Sequence, residues 1–124
     1  MKQFLTASAV VEAAAGFGLL CFPSIAVLLL AGVPIDSPAA ITVARIGGAG
    51  LLTLGIACWL ARDDAQTRAA RGLVVAMLFY DIVAAAVIAY AGIGLGLHSL
   101  GLWPAVLLHG GLTVWSLACL KRSA

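Results

Sequence analysis

Four ionisable side chains stand singly inside otherwise apolar stretches of the chain: Glu12, Arg45, Asp81 and His109. Glu12 lies in SAVVEAAAGFG, residues 8–18, within a stretch of mainly small and aliphatic residues that runs from Phe4 to Gly32. Low-dielectric surroundings push acids and imidazoles toward their neutral forms, so a set of this kind can hold one proton donor and one base near neutral pH. That division suits proton-transfer chemistry on a lipophilic substrate: isomerisation, cyclisation or epoxide opening. Glu12, Asp81 and His109 are therefore the candidate catalytic groups. A charge at the centre of a membrane helix costs about 2.5–3.5 kcal/mol on insertion scales, so Glu12, Arg45 and Asp81 left unpaired would oppose insertion by roughly 8–10 kcal/mol. Turning inward and pairing relieves that cost.

The stretches that carry these residues read as membrane spans by composition and length. The 124-residue chain is 64% hydrophobic and 10% charged, against about 25% charged in ordinary soluble domains. Apolar runs at about 4–31, 39–61, 72–92 and 101–120 each reach the roughly 20 residues that a hydrocarbon core requires. The connections AGVPIDSP, RDDAQTRAARG and GIGLGLHSLG are short enough to join antiparallel neighbours. The sequence thus predicts an all-α integral membrane protein, a single domain over residues 1–124 folded as an up-down four-helix transmembrane bundle. Lys2, Arg62, Arg68, Arg71, Lys121 and Arg122 all fall at the N-terminus, the second connection or the C-terminus, which places both termini on the cytoplasmic side of the inner (plasma) membrane. Trp59 and Trp115 near the inner ends, and Tyr90 and Trp103 near the outer ends, fit an interfacial aromatic belt. Pro23 interrupts the over-long first run, so that helix either tilts or breaks near CFPS. With no polybasic tail, nucleic acid is not an expected partner.

Counting from the middle of each run puts Asp81 and His109 near the midplane and Arg45 and Glu12 each roughly 7 Å from it, Glu12 closer if its helix ends at Pro23. Arg45 is then expected to pair with Asp81, and Glu12 with His109 or the same network. Thr113 and Ser116 follow His109 at spacings of four and three and share its face, which with Arg45 and Tyr80 makes them candidate ligand-binding residues. Tyr80 adjoins Asp81 but projects about 100° round the helix. Ser8 lies four residues before Glu12. The opposing reading is structural: buried pairs that only register the helices. Small residues repeat every four at Ala9 and Ala13 and at Ala40, Ala44 and Gly48, as in tightly packed membrane bundles. Acids in the first and third runs, and Arg45 and His109 before Gly-Gly in the second and fourth, suggest two tandem hairpins related by a repeat.

Cys21, Cys58 and Cys119 form no C-x-x-C pair and no disulfide framework. No H-x-x-x-H or H-E-x-x-H sets two ligands on one helix face, so no metal site is read from the sequence, and no cofactor is identified. His98 lies roughly 16 Å from His109 along a continuous helix, so a haem held by His109 would take its second ligand from another subunit.

The second run, ARIGGAGLLTLGIACWLAR, together with the four-span organisation, resembles small bacterial four-span membrane proteins of the DoxX-like kind. The first span, with VVEAAAGFGLL, resembles the opening helix of the small multidrug resistance family, which implies that Glu12 exchanges protons for a cationic drug. The aromatic third-helix signature of that family is missing from LVVAMLFYDIVAAAVIAY. Three functions therefore stand as expectations: binding of a small lipophilic ligand or substrate at an acid–base cluster, with isomerase- or cyclase-type activity; a haem-anchoring or accessory subunit of a membrane complex; and a small proton-coupled exporter. The expected partners are the lipid bilayer, a small hydrophobic ligand, and a second copy or other subunits.

Overall fold

A computed structural model describes residues 1–122, and these are helical with no strand. Helices α1 (Lys2–Cys21), α2 (Pro23–Ala31), α3 (Pro38–Ala61), α4 (Arg68–Ile93) and α5 (Leu102–Arg122) follow one another, with a 3₁₀ turn, Arg62–Asp64, between α3 and α4. Of these, α1, α4, α5 and α3 with its trailing 3₁₀ turn are long and apolar enough to cross a membrane.

The first apolar run breaks. Phe22 leaves the helical region at φ −131°, ψ 56°, and Pro23 opens α2 at its first turn, where a missing N–H removes no helical bond. The chain bends back so sharply that a Cβ at Gly18 would stand 4.0 Å from that of Ala26. α2 ends at Gly32, whose φ of 79° is open to glycine at little cost. It closes the end of the bundle opposite the termini. There the Gly101 amide donates to the Leu29 carbonyl at 3.1 Å, and Ser99 both donates to the Leu30 carbonyl and caps the start of α5. Ser37 and Thr67 cap α3 and α4 by accepting from the Ala40 and Ala70 amides.

The four long helices run alternately up and down. α1 packs most extensively on α3, and α4 on α5. On the α1–α3 seam a Cβ at Gly16 would stand 2.5 Å from the Leu52 nitrogen, one at Gly48 2.6 Å from the Leu20 nitrogen, and one at Gly55 2.9 Å from the Ala13 nitrogen. Backbone therefore lies against backbone. Phe4, Leu5, Ala9, Cys58, Ala70, Val74, Met77, Leu112 and Cys119 form a buried apolar core in the half of the bundle that holds both termini. The basic residues at Lys2, Arg62, Arg68, Arg71, Lys121 and Arg122 cluster at that same end. The outer surface is strongly apolar, with Phe79 71% and Leu107 75% exposed, an inverted pattern for a chain in water.

Candidate functional site

Beyond the apolar core, the bundle centre is polar. Because α1 stops at Cys21, its midpoint falls beside Glu12, and the midpoint of α4 falls beside Asp81. His109 lies about 4.5 Å from the middle of α5 at the helical rise per residue. Three helices thus deliver one ionisable group each to the same depth. Glu12 and Asp81 are 1% and 0% exposed, and His109 is 8% exposed.

Asp81 Oδ1 and His109 Nδ1 are 2.8 Å apart, a buried hydrogen-bonded pair. Tyr80 packs edge-on against the His109 ring, with centroids 5.6 Å apart and planes at 83°, and its hydroxyl lies near the Glu12 carboxylate without forming a hydrogen bond to it. Neither Glu12 oxygen has a partner in hydrogen-bond geometry, nor do Asp81 Oδ2 and Ser8 Oγ. Buried acceptors of this kind are costly, since each loses water without replacement. From α3, the buried Cys58 thiol stands within electrostatic reach of both carboxylates. Glu12, Asp81 and His109 each offer an N or O atom such that all three lie within 4.8 Å of one another.

The three candidate catalytic residues and Tyr80 are therefore brought together, but other expectations change. Arg45 does not reach Asp81: it is exposed on the outer side of α3. The reason is depth: Gly55 of α3 packs on Ala13, beside Glu12, and Arg45 lies ten residues, roughly 15 Å, further along the helix. Its place beside Asp81 is taken by His109, and Glu12 keeps both oxygens unpaired. Thr113 and Ser116 are not turned to a ligand either. Each hydroxyl donates to its own helix, Thr113 to the His109 carbonyl and Ser116 to the Thr113 carbonyl, both at 2.8 Å. His98 lies outside α5 and is exposed. Ser8 and Cys58 are the neighbours that sequence reasoning left out of the site. Ser8 had a signal in its four-residue spacing from Glu12; Cys58 had none.

A groove of about 1070 Å³ opens laterally between α1 and α5, lined by Lys2, Thr6, Val10, Val11, Trp115 and Arg122 among others. It lies toward the end of the bundle that holds Lys2 and Arg122, and its lining reaches Val11 but not Glu12. Comparison with protein-family models, curated proteins and solved structures finds no match for this chain.

Proposed function

We propose that this is a multi-pass protein of the plasma membrane, with both termini cytoplasmic, that binds a small lipophilic molecule carrying a hydrogen-bond donor at the Glu12–Asp81–His109 centre. The observation that carries the reading is the Glu12 carboxylate, 1% exposed with neither oxygen hydrogen-bonded, beside a formed Asp81–His109 pair. A purely structural cluster would close on itself, because an unsatisfied buried carboxylate opposes folding. Entry from the bilayer is supported by the looser packing of α1 on α5, far less extensive than that of α1 on α3 or α4 on α5.

In this reading Asp81 holds the His109 ring and fixes which nitrogen carries the proton. His109 and Glu12 then divide the roles of base and acid toward the bound molecule, with the Tyr80 hydroxyl as a further donor. Proton transfer within a hydrophobic substrate, an isomerisation or cyclisation, is the reaction class this set suits. The clustered basic residues at the end with both termini support the orientation. Arg45 fits the same picture as a surface residue whose aliphatic stem lets the guanidinium run to the headgroups.

The test is organic extraction of protein purified in mild detergent, followed by mass spectrometry against Glu12→Gln and Asp81→Asn. The expected result is a lipophilic molecule retained by the wild-type chain and lost from both variants. Equal retention by all three would overturn the assignment.

A further inference from the structure

The buried centre holds no permanent cation. Among the described residues the buried polar side chains are Ser8, Glu12, Asp81, His109 and Ser116, with no lysine or arginine. Arg45, the cation that the sequence pairs with Asp81, is exposed on α3. The atoms without partners are two Glu12 oxygens, one Asp81 oxygen and the Ser8 hydroxyl oxygen. The three carboxylate oxygens are acceptors, and the Ser8 hydroxyl can accept as well as donate. What the site is missing is therefore an electropositive species with room for several oxygen donors at once.

We propose that Glu12, Asp81 and His109 bind a divalent transition-metal ion. Their ligand atoms already lie within 4.8 Å of one another. Around an ion holding N and O donors at about 2.0–2.2 Å, neighbouring ligand atoms are about 2.8–3.6 Å apart, so shifts of about an ångström complete the sphere. Charge selects the valence: two carboxylates and a neutral imidazole cancel a dication, whereas a monovalent ion leaves net negative charge in an apolar interior. Donor type selects the class. One imidazole with two carboxylates suits zinc, manganese or ferrous iron, while calcium and magnesium favour oxygen alone.

Each ligand comes from a different helix, which is why no spacing within one helix announces the site. Asp81 Oδ1 and His109 Nδ1, 2.8 Å apart, already stand at about the separation of neighbouring donors on one ion, so their hydrogen bond gives way to two coordination bonds. Three protein ligands leave coordination positions open, the arrangement of sites that bind substrate. The proposal rests on the preceding section only for the identity of the centre: with the ion bound, Glu12 and His109 are ligands rather than acid and base, and the ion meets the polar end of the lipophile.

Tag-free protein in detergent, stripped with chelator, is titrated with Co²⁺ and followed by its visible ligand-field spectrum. The expected result is uptake of one ion per chain, with bands distinct from the aqua ion that disappear on adding Zn²⁺. Affinity should fall at least about tenfold in Glu12→Gln and Asp81→Asn, and stay unchanged in Arg45→Gln, with far-UV circular dichroism reporting the fold of each variant. A spectrum that stays that of the aqua ion with wild-type protein in excess overturns the proposal, as does unaltered uptake by a folded Glu12→Gln. Because the wild-type spectrum is decisive alone, a variant that fails to fold leaves the test intact. Lipophile retained without metal uptake defeats this proposal only; metal uptake without any retained lipophile defeats the preceding one only.

Discussion

The two helical hairpins are held by different means. In the first, α1 and α3 meet through backbone: Gly16, Gly48 and Gly55 leave no space for a Cβ. In the second, α4 and α5 meet through side chains, with the Asp81–His109 bond near mid-depth and the Leu102 and Trp103 side chains over Gly92. Burying leucine against leucine gains little when the alternative surroundings are lipid, so close backbone contact and polar bonds are the remaining ways to join helices. The first hairpin uses one and the second leans on the other. The first hairpin can therefore present Glu12 on a rigid wall, while the second carries the pair that faces it. The echo between the hairpins in the sequence does not extend to side-chain placement, for Arg45 is exposed and His109 is buried.

The sharpest way to break this contrast is to fill the glycine seam. Gly16→Leu or Gly48→Leu should cost about 3 kcal/mol or more, since backbone rather than a mobile side chain blocks the added atoms. The readout is loss of the monodisperse species in detergent and a collapse of thermal stability. The neighbouring Gly47→Ala serves as the sharpening control, because a Cβ there meets nothing within 4 Å. It should leave stability unchanged or raise it by up to about 1 kcal/mol through helix propensity.

A smaller effect is expected on the second hairpin. Asp81→Asn should destabilise by about 1–2 kcal/mol, the range for polar contacts between membrane helices, as measured by reversible unfolding in mixed micelles. A loss as large as that of Gly48→Leu would show that the polar pair, not the glycine seam, dominates the bundle. Smaller again are Thr113→Val and Ser116→Ala. Their hydroxyls bond only to their own helix, so each should change stability by less than about 1 kcal/mol and leave lipophile retention intact. Loss of the retained molecule in either would return those side chains to the site. Smallest is Lys2→Ala, which removes the 2.7 Å pair with Asp63 between exposed side chains. Water and salt screen such a pair, and no change in the melting profile is expected at physiological ionic strength.

Much of this was legible in the chain itself. The four apolar runs locate the helices to within a few residues, and Pro23 marks where the first one stops, which in turn moves Glu12 to mid-depth. The gathering of basic residues at one end follows from their places in the sequence. That Glu12, Asp81 and His109 share a site follows from the cost of leaving such groups among apolar side chains. What the sequence leaves undetermined is the rotation of each helix about its axis. In water an amphipathic stripe sets that angle, but these helices are apolar nearly all round, so no stripe points inward. Only packing decides it, and here the glycine contacts of α3 do so. They set Gly55 level with Ala13, which brings the Cys58 thiol to the centre, leaves Arg45 roughly 15 Å away along α3, and leaves Asp81 to pair with His109. The order of residues set which groups had to be buried, while register, facing and partnership were fixed by which backbones could approach most closely.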